Sequence, residues 1–204
     1  MENSLTQRSI SNLPSQIITF LMIIIVGWFR HLPLSFPELF NFTPVLALFL
    51  FSGSYLKGHL AWSGPIVAVI VSDLILNPGY GVNLLEPFMI ITLLSYCVIF
   101  LMGKFIFKNK SLLSLMLGSV GCALLFHILT CSFSWFVNPV YTKTLAGFWQ
   151  AQFLGEPGYA PAYLFLRNSI LSTVLFSTIF YIASQKLSEK FSLLSFRKKI
   201  YSKV

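Results

Sequence analysis

Residues 40–76 read FNFTPVLALFLFSGSYLKGHLAWSGPIVAVIVSDLIL, and this stretch decides the fold class of the chain. Two apolar runs lie on either side of the turn Lys57-Gly58-His59, and the first of them contains no charged residue. A helix needs about 20 apolar residues to cross the roughly 30 Å hydrocarbon core of a bilayer. The two runs approach this length, so the stretch predicts membrane-spanning helices at about residues 40–56 and 59–76.

The composition of the whole chain supports the same fold class. Of 204 residues, 56% are hydrophobic and only 10% are charged, whereas an ordinary soluble domain has about 25% charged residues. So little charge cannot cover a water-facing surface, which excludes a soluble globular domain, a disordered chain and a secreted disulfide scaffold. Cys97, Cys122 and Cys131 lie in apolar runs without a CxxC pair, which indicates packing residues rather than redox or metal sites.

Further apolar runs complete the prediction of a single all-α transmembrane domain, a bundle of six helices over residues 1–204. The six predicted spans are residues 15–30, 40–56, 59–76, 87–107, 112–137 and 161–184, and a basic tail follows at 185–204. The N-terminal run lacks a small-residue cleavage site, so it is interpreted as an uncleaved first span. Before the last span, TKTLAGFWQAQFL (residues 142–154) predicts a short interfacial helix.

The positions of Lys and Arg predict the orientation of this bundle. In an alternating six-span topology, eleven of the 14 basic residues lie on one side, and net charges of +9 and −1 on the two sides give the total of +8. Because cytoplasmic loops carry the excess of Lys and Arg, both termini are predicted to be cytoplasmic, in a bacterial inner membrane. The tail alternates basic and apolar residues, which predicts contact with anionic lipid. No nucleic-acid partner is expected, because lipid headgroups are the nearer anion.

Asp73 and Arg167 are the two charged residues at helix depth on the outer side of this topology. An ionisable residue inside a membrane segment is costly and is usually functional. Two interpretations stay open. Either the residues form an ion pair across the bundle that only fixes helix packing, or one or both contact a ligand that enters from outside. In the second case Arg167 suits a carboxylate or phosphate group on the ligand.

Other polar and aromatic residues are predicted at the same depth, and together they indicate a small-molecule pocket. The candidate substrate-binding residues are Asn41, Thr43, Asp73, Asn77, Asn138, Trp149, Arg167 and Asn168. Tyr141 and Trp135 belong to the same cluster. The alternative is that the aromatic and amide residues simply occupy the membrane interface, where such residues are common.

His127 lies in the middle of the fifth span and is either a ligand or proton-relay group or a hydrogen-bonded packing residue. The sequence contains no Gly-x-Ser-x-Gly element, no His-Glu-x-x-His motif, no Walker loop and no acidic cluster suited to metal-dependent transferases. It therefore predicts no catalytic residue, no metal site and no cofactor, and the chain is not expected to be an enzyme. Stripes of small residues at four-residue spacing, beginning at Gly64 and Ser114, indicate close helix packing within the bundle or against a partner.

Several short motifs give the chain a family resemblance. Asn41-Phe42-Thr43-Pro44 opens the second span, Gly53-Ser54-Tyr55 closes it, and Ser72-Asp73-Leu74 ends the third. Thr144 to Gln150 and the pair Arg167-Asn168 follow later in the chain. With these motifs the chain resembles a bacterial family of six-span membrane proteins that has no assigned function and is usually labelled a transport protein. That family is similar to the S components of energy-coupling-factor (ECF) transporters.

The resemblance implies an ECF S-component-like fold and a function as the substrate-binding membrane subunit of a vitamin-like small-molecule importer. An S component binds a vitamin or metal in a pocket open to the outside and docks on a membrane coupling subunit driven by two cytoplasmic ATPases. The expected partners are therefore that subunit, the ATPases and a small-molecule ligand. One departure is that the first span, IITFLMIIIVGWF, lacks an Ala-x-x-x-Ala docking stripe. The alternative function is a non-catalytic structural or scaffold protein of a cell-envelope complex.

Overall fold

The computed structural model of the chain is all-helical, as the sequence predicts. It describes residues 15–81, 87–108 and 111–201, with side chains at 21–79, 81, 88–108 and 111–186. No strand occurs within these ranges. The N-terminal segment 1–14 and the side chains of the basic tail after Lys186 lie outside the described residues, and with them the predicted contact of the tail with lipid.

Seven α-helices and one short 3-10 turn form the described part of the chain. They are α1 (Ser15–Ser35), the turn Pro37–Leu39, α2 (Val45–Tyr55), α3 (Leu60–Tyr80), α4 (Pro87–Phe105), α5 (Leu112–Val137), α6 (Leu145–Phe153) and α7 (Ala162–Tyr201). Among the residues with described side chains, the segments long and apolar enough to cross a membrane are Leu60–Gly79, Phe88–Phe105, Leu112–Val137 and Ala162–Lys186. The chain thus has the apolar helices of a membrane protein, while the count of six spans stays a prediction.

Helix α1 is longer than the predicted first span and ends at Ser35 rather than near Arg30. A proline usually ends a helix, but Pro33 lies in the last turn of α1, where it removes one backbone hydrogen bond close to the end of the helix. The backbone continues in the same direction, and the N–H of Phe36 donates to the carbonyl of Leu32 at 2.9 Å. As a result, Arg30 lies well inside a helix instead of at the end of the predicted span.

Helix α2 is shorter than the predicted second span of residues 40–56. It has 11 residues, about 16 Å of helix, which alone does not cross a hydrocarbon core of about 30 Å. The preceding residues turn because Asn41 adopts a positive φ of 61° and Pro44 is the residue before the first helical turn. All 11 residues of α2 are buried, so the helix is enclosed by its neighbours.

The buried core forms where α2 packs between α4 and α7. A row of stacked aromatic rings crosses it, with 4.9 Å between the ring centroids of Phe49 and Tyr96 and 5.6 Å between those of Tyr96 and Phe126. These three residues belong to α2, α4 and α5, so the stack joins three helices. Around it, α5 packs on α7 and α1 packs on α3.

Helices α2 and α4 approach closely at two glycines. A Cβ atom on Gly53 would overlap the carbonyl oxygen of Phe100, and one on Gly103 would overlap the carbonyl oxygen of Leu50. The Cβ position of Gly103 also lies 3.2 Å from the backbone nitrogen of Ser54. Small residues permit such close backbone contact between membrane helices.

The predicted stripes of small residues also pack inside the protein. Gly64, Ala68 and Ser72 are buried in α3. In α5, a Cβ atom on Gly118 would lie 2.6 Å from the ring of Phe107. For these stripes the structure therefore favours packing within the bundle over docking on a partner.

The two ends of the bundle carry different charges. One end, called here the basic end, contains the α2–α3 and α4–α5 connections. Its described charged residues are the exposed Lys57, Lys104, Lys108 and Lys186. The other, the mixed-charge end, contains the connections 36–44 and 138–161. Its described charged residues are Arg30, Glu38, Asp73, Lys143, Glu156 and Arg167. This separation of charges is the one that the alternating topology predicts.

We expect Gly103→Ala to lower the stability of the protein by about 1–3 kcal/mol, because the added methyl group overlaps the backbone of α2. Gly121→Ala in α5 is the matched control, since nothing lies within 4 Å of its Cβ position and alanine is otherwise favourable in a helix. Thermal unfolding in detergent micelles measures both variants. Unchanged stability of Gly103→Ala would contradict the close contact between α2 and α4.

Candidate functional site

Asp73 pairs with Arg30, and the Asp73–Arg167 pair considered from the sequence does not form. The guanidinium of Arg30 forms an ion pair with the Asp73 carboxylate, and its Nη1 donates to Ser72 Oγ at 2.6 Å. The two charged side chains are only 23% and 11% exposed. Because α1 continues beyond residue 30, Arg30 faces α3 from within a helix. The negative charge of Asp73 is thus compensated inside the bundle by Arg30.

Arg167 is exposed, and its side chain donates hydrogen bonds to that of its neighbour Asn168. Its Nε and Nη2 donate to Asn168 Oδ1 at 3.2 and 3.1 Å. The buried Asn168 amide donates in turn to the carbonyls of Glu38 and Phe40, at 2.7 and 2.9 Å. The pair Arg167-Asn168 therefore holds the connection between α1 and α2 against the start of α7.

A cavity of about 260 Å³ lies at the mixed-charge end, where α4, α5, α6 and α7 meet. Its polar lining residues are Asn41, His127, Thr130, Ser134, Tyr141, Glu156 and Ser169. Its aromatic lining residues are Phe88, Phe126, Tyr159 and Phe165. A few polar groups among apolar and aromatic walls are typical of a small-molecule site.

Helix α6 forms one wall of this cavity and is fastened to α5 by Gln152. The Gln152 side chain donates to Ser132 Oγ at 3.1 Å and to the carbonyl of Ile128 at 3.4 Å. Its backbone carbonyl accepts from His127 Nε2 at 2.8 Å. The helix predicted from TKTLAGFWQAQFL is thus confirmed as a helix, Leu145–Phe153.

The start of α6 explains why its sequence contains Thr144 and Gly147. The Thr144 hydroxyl accepts from the Gly147 N–H at 3.2 Å and so caps the helix. A Cβ atom on Gly147 would overlap the carbonyl oxygen of Thr142. Trp135 Nε1 donates to the same carbonyl at 2.9 Å, so this short segment is held tightly against the end of α5.

The loop after α6 brings Glu156 to the cavity. Asn138 Nδ2 donates to Glu156 Oε2 at 2.9 Å, while Asn138 Oδ1 accepts from the N–H of Val140 at 3.0 Å. Gly155 and Gly158 have positive φ angles of 76° and 90°, which glycine adopts at little cost and which let the loop turn on both sides of Glu156.

Tyr141 faces the same cavity from the connection after α5. Burial raises the pKa of the Tyr141 phenol above its ordinary value, and the nearby negative charge of Glu156 raises this pKa further, while Ser134 opposes the shift. The phenol, which is protonated at neutral pH even with its ordinary pKa, offers a neutral hydroxyl to the cavity.

His127 and Cys131 meet at the cavity without forming a nucleophile–base pair. Because a carbonyl oxygen only accepts, the contact with Gln152 requires the proton on His127 Nε2. The Cys131 Sγ lies 3.7 Å from both ring nitrogens. A thiol aligned with the lone pair of Nδ1 would lie clearly farther from Nε2, so the sulfur lies across the ring. Within the described residues, no three His, Cys, Asp or Glu side chains gather as a metal site.

The structure brings part of the predicted cluster to the cavity. Asn41 lines it, Asn138 donates to the lining residue Glu156, and Asn168 precedes the lining residue Ser169 in α7. Besides Asn138 and Asn168, the predicted residues that are not among the lining residues are Thr43, Asp73, Asn77, Trp149 and Arg167. A role in substrate binding stays a prediction for each of the eight residues.

Sequence reasoning assigned no ligand role to Glu156, Tyr159 or the lining phenylalanines. The segment GEPGYAP, residues 155–161, does indicate binding residues. An acid and a tyrosine lie there between turn residues in a long connection, where binding residues often lie. No sequence pattern distinguishes the lining phenylalanines, because the chain has 21 phenylalanines and most of them serve packing.

Comparison with known families gives a match over most of the chain. The model of a family described as "Family of unknown function (DUF6580)" matches residues 11–195 of this chain. No curated protein and no solved structure matches the chain significantly.

We expect Asp73→Asn to destabilise the protein by about 3 kcal/mol, because it removes the carboxylate that faces the partly buried guanidinium of Arg30. Glu38→Gln is the matched control, since it removes the same charge from an exposed position at the same end. Thermal unfolding in lipid nanodiscs measures both. Unchanged stability with loss of a bound ligand would instead support the ligand-binding role predicted for Asp73 from the sequence.

Proposed function

The chain belongs to DUF6580, a family of unknown function, and we propose that it is the substrate-binding membrane subunit of a small-molecule importer. The observation that carries the proposal is the cavity of about 260 Å³ at the mixed-charge end. Apolar walls with a few convergent polar groups are the usual form of a small-molecule site. The volume is near the lower limit for such sites, which favours a compact ligand.

The proposed membrane arrangement puts this cavity on the outer side of a bacterial inner membrane. In it, α1 to α5 and α7 are the six spans, and both termini are cytoplasmic. The support is the cluster of exposed lysines at the basic end, because an excess of Lys and Arg is typical of the cytoplasmic side. The short α2 is compatible with this arrangement, since its residues are buried among other helices and do not have to match the bilayer.

The proposed partners are a membrane coupling subunit and cytoplasmic ATPases. This proposal is supported by the resemblance to ECF S components and by the lack of a Walker loop in the sequence, which leaves energy supply to other chains. The ligand would be a vitamin-like molecule taken from outside. The stripe at Gly64, Ala68 and Ser72 is buried and is no substitute for the missing docking stripe of α1.

A second candidate function is a structural or scaffold protein of a cell-envelope complex. Polar groups at the mixed-charge end pair with one another, which favours it. The pairs are Arg30–Asp73, Arg167–Asn168 and Asn138–Glu156. Such pairs hold a bundle together without any ligand. The two functions differ at the cavity, because a scaffold protein has no need of one.

Blocking the cavity tests the proposed function. Ala160 is exposed and lines the cavity, so Ala160→Trp places a bulky ring there without changing a helix. Ala146→Trp, at an exposed position of α6 outside the lining, is the matched control. We expect native mass spectrometry of membrane-extracted protein to show a bound small molecule in the wild type and the control, and its loss in Ala160→Trp. The same molecule in all three proteins, or in none, would favour the scaffold function.

A further inference from the structure

The charge of the cavity lining is negative. Glu156 is the one charged residue among the described residues that line the cavity. Its Oε2 accepts from the amide of Asn138 at 2.9 Å, a neutral donor that orients the carboxylate without neutralising its charge. In a partly enclosed site of low dielectric, such a charge acts strongly on whatever enters.

The basic residues of the mixed-charge end are engaged elsewhere. Lys143 donates to the carbonyls of Trp135 and Asn138, the latter at 2.9 Å. Arg167 donates to Asn168 Oδ1, and Arg30 pairs with Asp73. Among the side chains that the structure describes, none forms an ion pair with Glu156. The fold therefore leaves this carboxylate available to a positively charged partner from outside the chain.

The uncharged walls of the cavity suit a cation as well. Phe88, Phe126, Tyr159 and Phe165 contribute aromatic rings to the lining, and the faces of aromatic rings attract organic cations. Tyr141, which also lines the cavity, adds a hydroxyl that is neutral at neutral pH, as in an ordinary tyrosine. The lining thus combines one negative charge with several rings.

From these features we infer that the cavity binds a small organic cation, with its ammonium group at Glu156 and its apolar body against the aromatic walls. The volume of about 260 Å³ restricts it to a compact molecule. The inference rests on the proposed function and adds the charge class of the ligand.

An anionic ligand, which the sequence suggested for Arg167, fits this cavity poorly. Arg167 is exposed, bonds Asn168 and is not among the lining residues. An anion in the cavity would face Glu156, and like charges at short range repel strongly where water is partly excluded. The inferred ligand therefore has the opposite charge to the one that the sequence indicated.

Three soluble probes of similar size and different charge test the inference. They are phenylethylammonium, phenylethanol and phenylpropanoate, a cation, a neutral molecule and an anion. Their binding to the full-length protein in lipid nanodiscs is measured by isothermal titration calorimetry. We expect the cation to bind roughly tenfold more tightly than the neutral probe, and the anion to bind more weakly than both.

Glu156→Gln is the central variant, because glutamine keeps the size of the side chain and an oxygen that accepts from Asn138. We expect it to abolish the preference for the cation, while Glu38→Gln, the exposed acid at the same end, keeps the preference. Phe165→Leu gives a second test that does not depend on the folding of Glu156→Gln. This variant removes one aromatic ring from the wall, and we expect it to weaken the binding of the cation more than the binding of phenylethanol.

Either of two results would overturn the inference: a neutral or anionic probe that binds as tightly as the cation, or a cation preference that survives in Glu156→Gln. If that neutral or anionic probe displaces a molecule that the wild type retains and Ala160→Trp loses, the proposed function stands and only the cation inference fails. If no probe binds and no molecule depends on the cavity, both fail.

Discussion

The hydrogen bonds between Gln152 and α5 are the contact on which the candidate site depends. The backbone carbonyl of Gln152 accepts from His127, and its side chain donates to Ser132 and to the Ile128 carbonyl. An unmet polar group in an apolar interior is costly, so these bonds hold α6 in one position on α5. That position sets where the following loop begins and therefore where Glu156 meets the cavity.

Two asparagines hold the long connections at the same end of the bundle. Asn168 donates to two carbonyls of the connection before α2, and Asn138 donates to the carboxylate of the loop after α6. Each is steadied by a further bond, from Arg167 in the first case and to the N–H of Val140 in the second. The predicted polar cluster thus works mainly as a frame around the cavity, and its members in the lining are Asn41 and Tyr141.

Run length and charge spacing predicted most of the helices, because a long apolar run has few alternatives to a buried helix. The predicted ends of two helices are wrong near prolines. Helix α1 continues past Pro33, and α2 begins only after Pro44, because packing against other helices and not local preference alone sets these ends. The first error hid the partner of Asp73, since it put Arg30 at the very end of the first span instead of well inside a helix. Glu156 was not assigned to the site because the turn residues around it indicate a loop, but they do not show that this loop folds over the bundle.

The different roles of Asp73 and Glu156 show why depth alone is a poor guide to function. Depth measures what an isolated charge would cost, and Asp73, inside a helix, ranks first by that measure. The ion pair with Arg30 offsets that cost, so the position of Asp73 inside the bundle does not by itself indicate a ligand. Glu156 is shallower, but among the described side chains only the neutral Asn138 amide engages its carboxylate. If the protein has the proposed function, a cationic ligand is attracted to the Glu156 carboxylate, with which no described side chain forms an ion pair. The Asp73 carboxylate is already paired with Arg30, so binding at the cavity is favoured over binding near Asp73.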